Sequence, residues 1–384
     1  MHSRTLGRTH LSVSEIGLGT EFLLGVEKTE AVRVIHSALD AGVNYVDMFW
    51  ADPGFRDIMG TAFVGRLSRV LITAHLGATV QQDGQYAVSR DLDVCSGFFH
   101  DYLERMRTDH VDVLFLHNCN SPEDVEAVMK EGGLIDLARR FVRQGKARFI
   151  GLSGHNTVTA RQVVESGAID VLMFPVNLAS YAVPGKAELL ESCVASNVGL
   201  VAMKVYGGGR LLDDSPTVEL EDFQIGRQQM AGGASRYKRT ARITPTQCLS
   251  YVLDLRAVST TVPGAKSVRE LEEALAAPAA PFDQRDYWGL LPAFAQFATG
   301  ECVYCNHCLP CPSGINIGRT LRLLDRSRNG VTQEGLDAYR AMEADASDCI
   351  QCGQCSSRCP FGVDVVAKMS LAASRFGDHP EEGR

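Results

Sequence analysis

The chain has 384 residues, of which 45% are hydrophobic and 22% charged, and this composition excludes a disordered or collagen-like protein. The length exceeds that of one ordinary hydrophobic core and predicts two domains, or one barrel with an appended module. The net charge of −8 opposes a broad nucleic-acid-binding surface. Because no apolar stretch reaches the roughly 18 residues of a membrane span and the first residues lack a signal-peptide segment, we expect a cytoplasmic protein.

Short apolar runs alternate with amphipathic stretches from about residue 14 to 276. The runs lie at 14–20, 45–50, 70–76, 111–118, 148–155, 170–177, 199–206 and 258–264. Helical periodicity lies between them, for example at Lys28–Asp40, Ser121–Arg143 and Thr157–Ser166. Continuous apolar strands that alternate with helices indicate an α/β protein, and eight such units fit a closed (β/α)8 TIM barrel. An open doubly wound sheet is the alternative, although no GxGxxG turn follows an early strand.

Polar side chains follow several predicted strands, at the end where barrels of this type carry their chemistry. These residues are Asp47, Trp50, His75, His117, Asn118, Ser153, His155, Asn177 and the segment 204–209. The connection 207–243 is unusually long, and we interpret it as a lid over the site or as a surface excursion. Its basic stretch, 236–242, is interpreted as a solvated loop or an anion contact.

Cysteine is the strongest compositional signal. There are twelve cysteines, and eight of them lie between residues 302 and 359. A secreted disulfide framework would spread its cysteines through a small domain, whereas these form two tight groups behind 300 cysteine-poor residues. The pattern therefore predicts metal or cluster ligation. The other four, Cys95, Cys119, Cys193 and Cys248, are predicted to be small core residues.

The spacing within each group indicates iron–sulfur clusters. The first group is Cys302, Cys305, Cys308 and Cys311, and the second is Cys349, Cys352, Cys355 and Cys359, each followed by proline. A CxxCxxC segment brings three thiolates to one cubane, and the Cys-Pro pair directs the fourth thiolate to the other cluster. We therefore predict two [4Fe–4S] clusters. Cluster one is predicted to bind Cys302, Cys305, Cys308 and Cys359. Cluster two is predicted to bind Cys349, Cys352, Cys355 and Cys311. Zinc ribbons lack the third CxxC step.

Several segments resemble the aldo-keto reductase family, in the family's order. They are RTLGRTHLSVSEIGLGT (4–20), DAGVNYVD (40–47), DHVDVLFLHN (109–118), GLSGH (151–155) and TVPGAKSVRELEEAL (261–275). Helical periodicity between the cysteine groups, at Ile315–Ser327 and Thr332–Ala346, resembles that of α-helical two-cluster ferredoxins. The chain thus resembles the subgroup of aldo-keto reductases with a C-terminal ferredoxin-type domain. The predicted organisation is a barrel over 1–276, a connector over 277–300 and a ferredoxin-like domain over 301–384.

The resemblance implies a catalytic tetrad of Asp, Tyr, Lys and His, which this chain matches in part. Asp47 and His117 occupy the Asp and His positions, whereas Asp52 stands at the Tyr position and His75 at the Lys position. Losing both the acid and the ammonium that activates it predicts a changed mechanism. We interpret His75 as a replacement acid/base group acting with Asp47, His117 and Asp52. A divalent-metal site and an inactive hydrogen-bonded cluster are the alternatives.

The resemblance also implies a nicotinamide cofactor, NADP or NAD. The residues at matching cofactor-binding positions are Ser153, Asn177, Gly264, Lys266 and Ser267, and Arg269 is a candidate because it lies next to the position of the family's Arg. A glycine-containing loop at a helix start can take a nucleotide phosphate on backbone N–H groups, although the same pattern also suits a plain helix start. Met173 and Glu270 stand where the family has Gln and Arg, so NADPH and NADH are not distinguished.

Together these features predict an iron–sulfur oxidoreductase that acts on a carbonyl or hydroxyl group of a small polar substrate. Nicotinamides transfer a hydride whereas each cluster transfers one electron, so an external electron carrier or partner subunit is a further expectation. The alternatives are a non-redox lyase or isomerase with structural clusters and an electron-transfer subunit of a partner enzyme. Tyr181 and Tyr206 are candidate replacements for the missing phenol.

Overall fold

The computed structural model describes residues 1–212, 217–224, 235–294, 300–327 and 330–377, with the backbone alone at 217–224 and 235–241. Its strands are β1 (Ser3–Thr5), β2 (Ser12–Ser14), β3 (Leu18–Gly19), β4 (Tyr45–Asp47), β5 (Leu71–Leu76), β6 (Ala78–Val80), β7 (Tyr86–Val88), β8 (Val111–Leu116), β9 (Ala147–Ser153), β10 (Val171–Pro175), β11 (Gly199–Met203), β12 (Thr217–Gln224), β13 (Ser235–Arg242) and β14 (Val258–Thr261). Its helices are α1 (Lys28–Asp40), α2 (Pro53–Ala62), α3 (Leu92–Met106), α4 (Pro122–Met129), α5 (Leu134–Arg143), α6 (Thr157–Glu165), α7 (Lys186–Ala195), α8 (Pro245–Leu253), α9 (Val268–Ala276), α10 (Phe282–Arg285), α11 (Ile317–Arg326), α12 (Gln333–Arg340), α13 (Gln354–Arg358) and α14 (Val365–Gly377).

Eight strands form one parallel sheet in the order β3-β4-β5-β8-β9-β10-β11-β14. Isolated parallel bridges from Ile16 to Thr261 and from Gly19 to Gly264 connect its two edges. The sheet therefore closes into a barrel, as the alternation of apolar runs and helices predicts. The barrel prediction is confirmed, and the open doubly wound alternative is wrong.

Apolar side chains fill the inside of the barrel. Phe115 on β8 lies opposite Gly151 on β9, and a Cβ at residue 151 would lie 2.4 Å from the Phe115 ring. Glycine at this position therefore makes room for the aromatic ring. Leu6 and Leu11, from the hairpin of β1 and β2, belong to the same interior cluster. Because Leu6 packs against the start of β11 at Gly199, this hairpin closes the amino-terminal end of the barrel.

Two local predictions are corrected by the structure. The stretch Ser121–Arg143 forms two helices, α4 and α5, since the chain turns between them with Gly132 at φ +71°. The basic run 236–242 lies in β13, which pairs with β12 as an antiparallel hairpin, so it is not a loop. Much of the predicted lid, 207–243, lies outside the residues whose side chains the structure describes. None of the described helices is both long enough and apolar enough to cross a membrane.

The C-terminal helices build a second hydrophobic cluster of their own. Ile317 and Leu321 on α11 pack there with Leu336 on α12 and Met369 on α14. Cysteines of both groups lie at the edge of this cluster. The helical C-terminal module predicted from sequence is therefore confirmed, and short helical segments between 277 and 294 connect it to the barrel.

Candidate active site

A cavity of about 740 Å³, counting its open mouth, lies at the carboxyl ends of the barrel strands. Its wall includes Asp47, His75, His117 and Ser153, four of the residues that the sequence places at strand ends. Each follows or ends a different strand, so the closed parallel barrel brings them together.

A chain of hydrogen bonds connects Asp47, His75 and His117. His75 Nε2 lies 3.0 Å from Asp47 Oδ1, and His75 Nδ1 lies 2.9 Å from His117 Nδ1. Thr73 donates a further hydrogen bond to the same Asp47 oxygen at 2.7 Å. All of these groups are buried. Burial and the neighbouring His75 hold the pKa of His117 well below its ordinary value, so His117 is neutral at pH 7.

Tyr86 ends this chain and was not among the residues predicted from sequence. Its hydroxyl lies 2.6 Å from His117 Nε2. The tyrosine begins β7, which pairs with β6 in a short hairpin directly after the third barrel strand, β5. Burial raises the pKa of the phenol far above its ordinary value, so Tyr86 stays protonated and donates to His117. No periodicity in the sequence points to this contact, because it depends on how the hairpin folds back.

Of three other predicted residues, Asp52 and Tyr181 lie outside the cavity. Asp52 is the N-cap of α2, where its Oδ1 accepts a hydrogen bond from Phe55 N–H at 2.6 Å, and it does not line the cavity. Aspartate is a favoured N-cap residue, and the Pro53 that follows it suits the first helical position. The helix cap therefore accounts for an aspartate at residue 52. Tyr181 is 44% exposed and packs towards Tyr251. Tyr206 lines the cavity.

The opposite wall of the cavity carries a second polar group. Lys204 Nζ donates to His155 Nε2 at 3.1 Å, and the ring centroids of His155 and His307 lie 4.6 Å apart. Burial and the nearby ammonium hold the pKa of His155 well below its ordinary value, so this imidazole is neutral. Glu21 also lines the cavity, and burial raises its pKa. Neither Glu21 nor His307 was predicted, because no strand-end pattern marks either of them.

Asn177 and Ser153 support these walls. Asn177 Nδ2 donates to the Lys204 carbonyl at 2.8 Å, and it thereby holds a lysine whose φ is +55°. Ser153 Oγ accepts from Asn118 N–H at 3.1 Å and lies 3.4 Å from His117 Nδ1. Ser153 reaches the cavity, whereas Asn177 acts through the backbone of Lys204.

The predicted phosphate loop is held by carboxylates. Glu270 Oε2 accepts from Lys266 N–H at 2.8 Å, and Glu30 Oε1 accepts from Val268 N–H at 3.4 Å. Ser267 is the N-cap of α9, and its Oγ accepts from Glu270 N–H. Two carboxylates therefore occupy the N–H groups that a phosphate would use, and their charge opposes an anion. This arrangement does not fit a nucleotide phosphate unless Glu270 moves.

The remaining residues of this loop point to other contacts. Lys266 Nζ lies 5.7 Å from the centre of the Phe22 ring, a cation–π distance. A Cβ at Gly264 would lie 2.2 Å from the same ring. Arg269 is largely exposed and pairs with Glu273 at 3.1 Å. Among the predicted cofactor residues, Gly264 and Ser153 line the barrel cavity.

The eight cysteines of the C-terminal module line two small cavities, four cysteines in each. One cavity is lined by Cys302, Cys305, Cys308 and Cys359. The other is lined by Cys311, Cys349, Cys352 and Cys355. These are the two sets that the Cys-Pro exchange predicts, and four cysteines around one cavity are the ligand number of a [4Fe–4S] cluster.

A single metal ion would need a tighter arrangement. In the part of the chain that the structure describes, no three His, Cys, Asp or Glu side chains converge as ligands of one ion. His75 and His117 hydrogen-bond each other directly, which also uses the nitrogens that a shared ion would need. The geometry therefore favours a proton-carrying chain over the divalent-metal alternative at Asp47, His75 and His117.

The C-terminal module packs directly onto the mouth of the barrel. Cys311 N–H donates to Gln85 Oε1 at 2.8 Å, and Gln85 Nε2 donates to the Cys311 carbonyl at 3.1 Å. Arg322 donates to the Gly208 carbonyl. A Cβ at Gly208 would lie 1.9 Å from the Val303 carbonyl oxygen, so the two backbones are in close contact. The first cysteine group thus forms part of the cavity's roof.

Comparisons with known proteins agree with this architecture. The sequence model described as the aldo/keto reductase family matches residues 15–289. The model described as a 4Fe-4S dicluster domain matches residues 298–363. An uncharacterized oxidoreductase, YqkF of Bacillus subtilis, is 24% identical over 307 residues, which cover 72% of this chain and 91% of the relative.

Solved structures show the same fold. The holo form of the aldo-keto reductase AKR11C1 from Bacillus halodurans matches with a TM-score of 0.59 and 21% identity, covering 78% of this chain and 97% of that one. Its apo form gives a TM-score of 0.54 and 19% identity, with the same coverage. The family match spans well over half of the chain. The protein therefore belongs to the aldo/keto reductase family and carries a C-terminal 4Fe-4S dicluster domain.

Proposed function

We propose that this oxidoreductase interconverts a carbonyl and a hydroxyl group of a small polar substrate bound in the barrel cavity, with protons carried by Asp47, His75 and His117. One observation supports this most: the buried chain of hydrogen bonds among these residues opens into the cavity that the first cysteine group covers. Carbonyl reduction consumes two electrons and two protons. The site therefore needs a proton store next to an electron source.

The hydrogen-bond chain can work in both directions. In its neutral form Tyr86 donates to His117, His117 Nδ1–H donates to His75, and His75 Nε2–H donates to Asp47. A substrate hydroxyl that displaces one of these hydrogen bonds frees a histidine nitrogen, which takes the hydroxyl proton, and the Asp47 carboxylate stabilises the imidazolium that forms. The reverse transfer delivers a proton to a carbonyl oxygen. The histidine pair and Asp47 thus take over the role of the family's tyrosine and lysine.

The other wall of the cavity supplies a positive charge. The Lys204 ammonium, held by His155 at 3.1 Å, faces the same space as the histidine pair. A fixed cation in a site shielded from water stabilises the negative charge that develops on a substrate oxygen. The predicted clusters supply single electrons when bound. Cluster ligation by the two cysteine sets is part of this proposal.

The test compares the same substitution at two aspartates, one that lines the cavity and one that lies outside it. Asp47→Asn should lower turnover at least about 100-fold, because the amide cannot stabilise a protonated His75. Asp52→Asn is the control, since asparagine also caps a helix and Asp52 lies outside the cavity. Turnover of small ketones and alcohols, with an artificial electron donor or acceptor, is the measurement. Equal activity of Asp47→Asn and the wild type would sink the proposal.

Use of NADP or NAD by this chain is a separate part of the proposal. Because Glu270 holds the N–H of Lys266, we expect weak nucleotide binding that Glu270→Gln strengthens about tenfold by removing the negative charge. Anaerobic titration with NADPH and NADH, following nucleotide fluorescence and cluster absorbance together, measures this. Glu272→Gln on the same helix is the control. Tight binding to the wild type with no response to Glu270→Gln would contradict it.

A lyase or isomerase is the second candidate. It is favoured by the two proton-handling walls, the His75–His117 pair and the Lys204–His155 pair, which face each other without the family's tyrosine and lysine. In that case turnover would continue without an electron donor or acceptor. The same assay, run with and without the electron donor, separates the two functions.

A further inference from the structure

His307 belongs to the first cysteine group but lines the cavity of the barrel. It lies between Cys305 and Cys308, two predicted ligands of cluster one. Its side chain is 7% exposed. Its ring centroid lies 4.6 Å from that of His155 and 6.4 Å from that of His117. The histidine therefore lies beside both proton-handling walls of the cavity.

One nitrogen of this buried ring has no partner. His307 Nδ1 makes no hydrogen bond with any described residue, although the atom is buried. Buried polar atoms of native proteins are almost always hydrogen-bonded, and an unpaired one destabilises the fold. His307 lines the barrel cavity, so a small rotation of its ring would bring Nδ1 to a hydroxyl or carbonyl oxygen bound there. Nδ1 can donate to or accept from such an oxygen, depending on the tautomer.

The docking of the C-terminal module fixes the position of His307. The paired hydrogen bonds between Gln85 and Cys311 hold the end of its loop. The close contact between Gly208 and Val303 holds the beginning. Within the loop, Tyr304 and Asn306 adopt positive φ angles of +54° and +57°. The ring is thus placed by the fold before any ligand arrives, which is what a binding residue needs.

The second cysteine group provides an internal control. Gln354 follows Cys352 by two residues, as His307 follows Cys305. Gln354 is exposed, and its Oε1 accepts from Arg358 at 2.7 Å. The ligand spacing of the cluster loop therefore does not require a buried side chain at this position. The burial of His307 comes from its place on the barrel.

We propose that His307 is a substrate-binding residue, contributed by the C-terminal module, whose Nδ1 hydrogen-bonds the oxygen of a small hydroxy or keto compound in the barrel cavity. This inference rests on the proposed function, because it assigns a partner within the same site. It makes the site composite: a barrel without the docked module lacks part of its binding surface. It also brings the bound substrate next to the loop of cluster one and away from that of cluster two.

The test measures binding to the intact protein with both clusters loaded. The probes are dihydroxyacetone, glycerol and glucose, followed by ligand-detected NMR. His307→Phe keeps a ring but removes both nitrogens, and we expect it to weaken binding about tenfold. His307→Asn places an amide near the Nδ1 position and should bind within about threefold of the wild type. Gln354→Ala should not change binding. Iron content and visible absorbance identify any variant that has lost a cluster.

A second measurement needs no variant at residue 307. A bound probe should change the electron paramagnetic resonance spectrum of the reduced wild type and of Cys352→Ser, which would keep cluster one alone. Equal binding by His307→Phe and the wild type, or an unchanged spectrum with the probe bound, overturns the inference and leaves the proposed function standing. Failure of every probe to bind the wild type counts against both.

Discussion

The two cysteine groups share one backbone plan and differ in their surroundings. Tyr304 and Gln351 occupy equivalent positions with φ of +54° and +55°, and Asn306 and Gly353 follow with φ of +57° and +73°. Yet Tyr304 is buried, whereas Gln351 is exposed. The first group lies on the barrel mouth, and the second lies towards solvent. Local ligand spacing therefore sets the loop conformation, and tertiary contacts set what the loop can do.

This difference predicts separate roles for the two clusters. The first group supplies His307 to the barrel cavity and closes over it. The second exposes Ile350, which is 67% exposed, and Cys352. If both clusters and the proposed substrate bind as we expect, an electron from outside would reach the exposed cluster first and the buried one second. Losing one cluster should therefore not be equivalent to losing the other.

The largest effect should come from removing one ligand of each cluster. Cys305→Ser and Cys352→Ser should each lower the iron content by about half. Cys305→Ser should also abolish turnover and release the module from the barrel, because its loop carries the docking contacts. Cys352→Ser should loosen only the Gln85–Cys311 contact, because Cys311 is a predicted ligand of the same cluster, and should keep the contact between Gly208 and Val303. Iron analysis and limited proteolysis measure both. Full iron content in either variant would refute its ligand assignment, and equal proteolysis would remove the distinction between the groups.

A smaller effect should follow from disturbing only the docking contact of the first group. Gly208 has φ +72°, and an alanine Cβ would meet the Val303 carbonyl at 1.9 Å. Gly208→Ala should destabilise docking by about 2 kcal/mol or more while both clusters stay bound. Gly289→Ala is the control, since none of the described atoms lies within 4 Å of its added Cβ. Unchanged protease sensitivity of Gly208→Ala would show that the module is held by other contacts.

The smallest effect of a single substitution concerns the pH dependence of stability, which depends on the buried histidines of the barrel cavity. Burial lowers the pKa of His117 and His155 in the folded state, while in the unfolded chain they titrate near 6.5. Below that pH the unfolded state binds protons that the folded state does not. The free energy of unfolding should therefore fall as pH drops, by about 1.4 kcal/mol per unit for each histidine.

Urea unfolding at about pH 7.5 and about pH 5.5 measures this dependence. His155→Asn should reduce the slope by the share of one histidine. His110→Asn is the control, because that imidazole is 44% exposed beside Asp109. An identical slope in the His155 variant and the wild type would mean that His155 is charged in the folded protein.

The amino-acid sequence by itself determined the barrel, the helical module and the two cysteine sets. Periodicity and ligand spacing are local properties of the sequence, so they can be recognised without information about long-range contacts. The positions of Asp47, His75 and His117 followed as well, since parallel strands in a barrel end on one face. Asp52 lies elsewhere for a local reason: it is followed by Pro53 and caps α2.

Only the tertiary structure decided what completes the site. Tyr86 reaches His117 through a hairpin, and Gln85 meets Cys311 across 226 residues of sequence. The Glu270 carboxylate accepts the hydrogen bond of Lys266 N–H, although the sequence of this loop also suits a phosphate at that position. His307 lies between two predicted cluster ligands in the sequence, yet its side chain lines the cavity of the barrel. Such contacts depend on how two separately folded surfaces pack, and no period or motif within either surface encodes that packing.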